Sequence, residues 1–210
     1  MSSTLRFLLP LLLFVLVAGC GDDPVSEDFP PAEALTVENL PADPMVNADP
    51  VTGRPVGTGK YTLYSLRENR IVPNADSAST RWDLAFRATS VLVNGGVSGP
   101  GQGAAVVIAR PFEEVTEAPA DAEFLVDAEG APAVASSQGG WYNYNPATHV
   151  VTPVPGRTLV VRTADGRYAK LRIVSYYQDN PDEIDGSSSS RYYTFDYVFQ
   201  PDGSRLLQPD

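Results

Sequence analysis

Apolar and polar positions alternate with a period of two through most of this chain. In Arg81-Trp82-Asp83-Leu84-Ala85-Phe86-Arg87, the residues Trp82, Leu84 and Phe86 fall on one face and Arg81, Asp83 and Arg87 on the other, the pattern of a half-buried strand. Residues 191–199 repeat it more strongly: Tyr193, Phe195, Tyr197 and Phe199 share one face, opposite Tyr192, Thr194, Asp196 and Val198. So aromatic a stripe belongs in a core. Two β-rich runs, 158–163 and 168–177, flank Ala164-Asp165-Gly166-Arg167, where Asp-Gly supplies the positive φ of a tight turn and predicts a hairpin. Further strands are expected at 35–39, 61–66, 104–109 and 149–152. Helix is confined to at most a short turn within 112–118, and no internal repeat is present. The acidic, serine-rich stretch 179–190 reads as a long hairpin connection. The pattern predicts an all-β fold, a single antiparallel domain with long loops and little helix.

The N-terminus breaks this pattern. Residues 1–19 carry one charge, Arg6, followed by an apolar run over 7–18 that is too short to span a bilayer core of roughly 30 Å and reads as a signal-peptide core. It ends in Leu16-Val17-Ala18-Gly19-Cys20, which resembles the bacterial lipobox, so residues 1–19 are expected to be removed and Cys20 lipidated. Several acyl chains at ~0.8 kcal/mol per buried CH₂ anchor a protein stably. Cys20 is the sole cysteine of the 210 residues.

Charge sharpens the division. The chain holds 15 Lys plus Arg against 26 Asp plus Glu, a formal charge of −11, which provides no electrostatic footprint for nucleic acid. Asp22, Asp23, Glu27, Asp28, Glu33, Glu38, Asp43 and Asp49 lie within residues 21–53, which contain no basic residue and are rich in proline. Residues 20–33 read as an acidic, Pro-rich solvated tether, with the folded domain at 34–210. The acidic pair after Cys20 resembles the surface-export signals of Bacteroidetes-type lipoproteins. In enterobacteria an Asp beside that cysteine is instead read as inner-membrane retention; with the family resemblance below, the chain is expected at the outer membrane, lipid-anchored, on the surface or facing the periplasm.

Candidate chemistry is mostly excluded. One cysteine and one histidine rule out an intrachain disulfide, cysteine-based zinc sites and two-histidine metal motifs. Gly57-Thr58-Gly59-Lys60 ends like a phosphate loop but lacks the upstream glycine and the following Ser or Thr, and it leads into a strand. The run Asn94-Gly95-Gly96-Val97-Ser98-Gly99-Pro100-Gly101-Gln102-Gly103 enters no helix, so it reads as a connecting loop. A Ser-His-Asp hydrolase would have to use His149, and no Gly-x-Ser-x-Gly elbow exists. Glu113 and Glu114 lie in an acidic surface stretch. The expectation is a protein that is not an enzyme.

One combination of motifs names a family. Trp82-Asp83-Leu84-Ala85-Phe86, the glycine run from Asn94 to Gly103, Gly139-Gly140-Trp141 and Val161-Arg162-Thr163-Ala164-Asp165-Gly166-Arg167-Tyr168 leading to Ser175-Tyr176-Tyr177 resemble the HmuY-like haem-binding lipoproteins in order and spacing. Tyr192-Tyr193-Thr194-Phe195-Asp196-Tyr197 is similar to their closing strand. The resemblance implies an all-β outer-membrane lipoprotein that takes up haem and hands it to a TonB-dependent receptor. It also implies two axial ligands, commonly histidines, one between the glycine run and Gly139-Gly140-Trp141 and one a few residues past that tryptophan.

This chain departs from that ligand pattern. Residues 110–138 contain no His, Met, Tyr or Cys, and the second position falls near Asn145 or Pro146. His149, Tyr144 and Tyr142 are the axial-ligand candidates, since imidazole and tyrosinate both bind haem iron. Arg157 and Arg110 are the candidates for pairing with propionates. Met45, the only methionine outside the signal, lies far upstream. The alternative is an interaction module on the same scaffold, its tyrosines binding a glycan or an envelope protein without haem.

Overall fold

A computed structural model describes residues 29–135, 139–185 and 187–209. Cys20 and the signal segment lie outside the described residues. Two antiparallel sheets face each other. The larger has five strands in the order β1 (Ala34–Pro41), β13 (Ser190–Gln200), β12 (Tyr168–Tyr177), β11 (Thr158–Arg162) and β8 (Ala104–Ile108). The smaller has four, β5 (Arg70–Val72), β4 (Thr62–Ser65), β6 (Leu84–Arg87) and β7 (Ser90–Val93). Two short hairpins stand apart, β2 (Asn47–Ala48) with β3 (Pro55–Val56), and β9 (Tyr142–Asn145) with β10 (Val150–Pro153). Among the described residues the helical elements are 3-10 turns, one of them Phe112–Glu114 where a short turn is predicted. The all-β reading therefore holds, as does the hairpin at 158–177, whose turn carries Gly166 at φ +87°.

Alternation along the strands builds the core between the sheets. Tyr193, Phe195 and Tyr197 of β13 are fully buried, with Ala169 and Leu171 of β12 beside them, against Tyr64, Leu84, Phe86, Val91 and Val93 of the smaller sheet. Phe86 stacks on Phe195 at 5.7 Å and meets Tyr193 at 5.0 Å. Such ring pairs add to the burial of their area.

The outer face of the larger sheet is covered too. Ala104, Val160 and Tyr168 pack under Val115, Ala118, Phe124 and Leu207, so an irregular strap and the C-terminal tail form a third layer. Lys170 points into this layer, 2% exposed, and its Nζ donates to the carbonyls of Phe112 and Val115 at 2.9 and 2.8 Å. Ala32, just before β1, is buried with Phe112 and Val198.

The strand expected at 81–87 begins later and is buried on both faces. Leu84 and Phe86 face the inter-sheet core, whereas Trp82 lies outside the strand and joins Leu63, Val72 and Ala85 on the opposite face. Asp83 does not face solvent. Its two carboxylate oxygens accept the N–H of Leu66 and of Ala164, a use of a buried carboxylate that alternation by itself does not reveal.

Two glycine motifs prove to be structural. The amides of Thr58 and Gly59 do bind an anion, but it is the chain's own Asp43, which accepts from Thr58 N, Thr58 Oγ1 and Gly59 N at 2.6, 2.8 and 2.9 Å. These bonds, together with Arg191, outweigh burial and hold the Asp43 carboxyl below its usual range. The 94–103 run wraps the buried side chain of Asn94, which donates to Ser79 O and Trp82 O and accepts from Gly101 N. At Gly95 a Cβ would lie 2.0 Å from Gly103 O, so the loop closes only without side chains there.

Candidate functional site

Strand direction divides the sandwich into two poles. β1 runs from Ala34, paired with Val198, to Pro41, paired with Tyr192, and β12 runs from Tyr168, opposite Gln200, to Tyr177, opposite Ser190. At about 3.3 Å per residue the ten residues of β12 separate the poles by about 30 Å. Phe29, Pro30 and Pro31 lie at the first pole, against Leu35, Leu66, Arg167, Phe199 and Pro201.

The second pole carries the candidate residues. β9 and β10 leave the core through Trp141, whose ring packs against Tyr176 and Tyr193 at 6.0 and 5.2 Å and whose Nε1 donates to Thr89 O. The hairpin is tied down at Val151, which is buried and donates its N–H to the Oη of buried Tyr177 at 3.1 Å. Val151 pairs directly with Tyr144. Alternation then puts Tyr142 and Tyr144 on one strand face, as the sequence implies. Tyr142 is half-buried on the Trp141 ring, 4.8 Å away, while Tyr144 is 52% exposed.

His149 closes the hairpin turn and is exposed, with φ +59°. Its Nδ1 lies 2.6 Å from the phenolic oxygen of Tyr144, with ring centroids 6.1 Å apart. Beside them is a hollow of about 420 Å³ lined by Gly139, Gly140, Tyr142, Asn143, Tyr144, Val154 and Arg157. Arg157 donates through Nη1 to the carbonyls of Gly139 and Gly140, which fixes its guanidinium at the rim. Four of the five predicted side chains, Tyr142, Tyr144, His149 and Arg157, thus meet at one place. Arg110 does not join them. It is exposed and absent from the lining, and its carbonyl accepts from Thr158 Oγ1.

Larger hollows of about 500 and 650 Å³ lie elsewhere. The first holds the residues that precede β1; in the second, Arg172 is already paired with Glu113 and Asp196. Neither places an imidazole beside a phenol. Among the described residues no group of three or more His, Cys, Asp or Glu could hold a metal ion. Tyr177 and Arg191 organise this pole through partners far along the chain, which no local pattern marks. Arg191 reaches back to Asp43 O at 3.0 Å and bonds the Tyr176 hydroxyl, whose ionisation burial opposes.

The sequence profile of the family described as HmuY protein matches residues 58–197, two thirds of the chain and all of the smaller sheet, the glycine run and the donor hairpin. The chain belongs to the HmuY family. No curated protein matches. Among solved structures it is similar to an apo HmuY analogue from Tannerella forsythia, at 17% identity over 81% of this chain and 96% of that one, with a TM-score of 0.46. A candidate lipoprotein from Bacteroides fragilis matches at 17% identity over 81% and 89%, TM-score 0.45. A candidate HmuY-like haem-binding protein from Bacteroides vulgatus matches at 14% identity over 81% and 92%, TM-score 0.45. Within the HmuY scaffold, the candidate site of this chain is a phenol and an imidazole in contact at the rim of an aromatic-walled hollow.

Proposed function

We propose that this protein is a haem-binding lipoprotein, a binding protein rather than an enzyme, that holds its ligand at the β9–β10 hairpin. The observation that carries the reading is the Tyr144–His149 pair at 2.6 Å beside a hollow of about 420 Å³, on a HmuY-family scaffold. The donor set fits the group. Imidazole and phenol are both established ligands of haem iron, Tyr142 offers an aromatic wall, and Arg157, engaged among the described residues only through Nη1, keeps guanidinium donors for a carboxylate. The hollow's size lies within the range of small-molecule sites.

In this reading Cys20 carries the lipid, the chain is anchored at the outer membrane, and the described chain enters the domain at Phe29, at the pole opposite the hairpin. The site then faces away from the anchor, open to a donor protein or to a TonB-dependent receptor. Titrating purified protein with haem tests the proposal. A Soret shift saturating at one equivalent supports it, and an unchanged haem spectrum at stoichiometric protein overturns it.

A second reading rests on the exposed apolar residues at the same pole. Met45, Val46 and Val51, in and beside the β2–β3 hairpin, are 56%, 64% and 90% exposed, which suits contact with a glycan or an envelope protein in the absence of haem. Pull-down of such a partner by protein that leaves the haem spectrum unchanged would favour it.

A further inference from the structure

The geometry points to Tyr144 as the side chain that faces iron, with His149 as its positioning residue; this division of roles rests on the haem-binding reading above. Three observations carry it. Tyr144 lines the hollow and His149 does not. Tyr144 also sits within a paired strand, directly opposite Val151, whose N–H is held by Tyr177, so its backbone is fixed by the core. His149 sits in the turn at φ +59°, a conformation that costs an L-residue roughly 1–2 kcal/mol, and the hairpin rather than its own preference aims its ring at the phenol.

The hydrogen bond fits this division of roles. A neutral imidazole has one N–H and one bare nitrogen. In the tautomer whose hydrogen is on Nε2, the Tyr144 hydroxyl donates to Nδ1 and His149 has no lone pair left for a metal. The phenolic oxygen keeps its lone pairs. His149 Nδ1 lies 2.6 Å from that oxygen, so the imidazole sets the direction in which the phenol points. A partner that orients a ligand in this way is commonly worth 10- to 100-fold in affinity.

The test is resonance Raman spectroscopy of the purified protein with ferric protoporphyrin IX, on wild type, Tyr144→Phe, Tyr142→Phe and His149→Gln, each first shown to keep the wild-type thermal transition. Phenolate modes are expected in wild type and in Tyr142→Phe and are lost in Tyr144→Phe. His149→Gln keeps them while binding roughly 10- to 100-fold more weakly. If Tyr144→Phe retains the wild-type spectrum and His149→Gln loses it, iron sits on His149 and the division of roles is overturned, with haem binding intact. If Tyr144→Phe and His149→Gln both keep the wild-type spectrum, iron is held elsewhere and the assignment also fails. Wild type that leaves the haem spectrum unchanged overturns the haem reading itself.

Discussion

Asp83 Oδ1 accepts the backbone N–H of Ala164 at 3.0 Å, a bond that crosses from the edge of β6 to the turn between β11 and β12 and so joins the two sheets. The other oxygen accepts from Leu66 N at 2.8 Å. Burial pushes this carboxyl up from 3.8 to about 6, with Asp165 adding to the rise and the two backbone bonds and Arg67 opposing it. Between those values the folded chain retains a proton that the unfolded chain has released. The contribution of Asp83 is therefore complete below pH 3.8 and lost as pH rises through about 6, a loss of roughly 3 kcal/mol. Asp43 and Asp165, held below 3.8, act in the opposite sense and only under that pH. Urea unfolding at pH 4.5 and 7 should show this dependence in wild type, and Asp83→Asn should flatten it.

The Asn94 loop predicts a contrast between glycines. Gly95→Ala would drive its Cβ onto Gly103 O at 2.0 Å, a backbone atom that cannot swing away, and should cost about 3 kcal/mol or more. Gly130→Ala, at φ +70° with open space around it, should cost about 1 kcal/mol from conformation alone. Equal midpoints for the two variants in chemical denaturation would contradict the close approach.

Lys170 clasps the strap. Lys170→Met keeps the apolar stem but leaves the carbonyls of Phe112 and Val115 without their donor, at about 1–3 kcal/mol for each group left unsatisfied. The strap should loosen before the sandwich does. Glutamyl endoprotease should then cut at Glu113, Glu114 or Glu117 several-fold faster than in wild type.

Tyr177→Phe removes the acceptor of the Val151 N–H from a buried site, at about 1–3 kcal/mol. The effect should stay local. Hydrogen exchange should accelerate across residues 142–153 while β13, in the centre of the core, keeps its protection, and on the proposed haem-binding function ferric haem should bind more weakly as the hairpin loses order.

Much of the scaffold was legible from short-range pattern. The Tyr193, Phe195 and Tyr197 stripe, the Asp165-Gly166 turn and the 104–109 strand need only a period of two and one positive-φ residue, which neighbouring positions record. Other features were hidden: burial on both faces of β6 erases alternation, so Trp82 leaves its expected face and Asp83 is buried, while β5 and β7, at three and four residues, are too short to announce a period. The smaller sheet is sandwiched in a way that no single strand announces.

The sequence by itself determined the all-β class, the family and the small set of donors, because one histidine and a few tyrosines leave little choice. Tertiary structure alone decided which of them meet. A hairpin tied by Tyr177 through Val151 puts Tyr144 on His149 and brings Arg157 alongside, and it leaves Arg110 outside. The same packing spends the Thr58 and Gly59 amides on Asp43 and the glycine run on Asn94. Which polar group finds which partner is set by residues far apart in the chain, 148 positions in the case of Arg191 and Asp43, and only the folded chain brings those together.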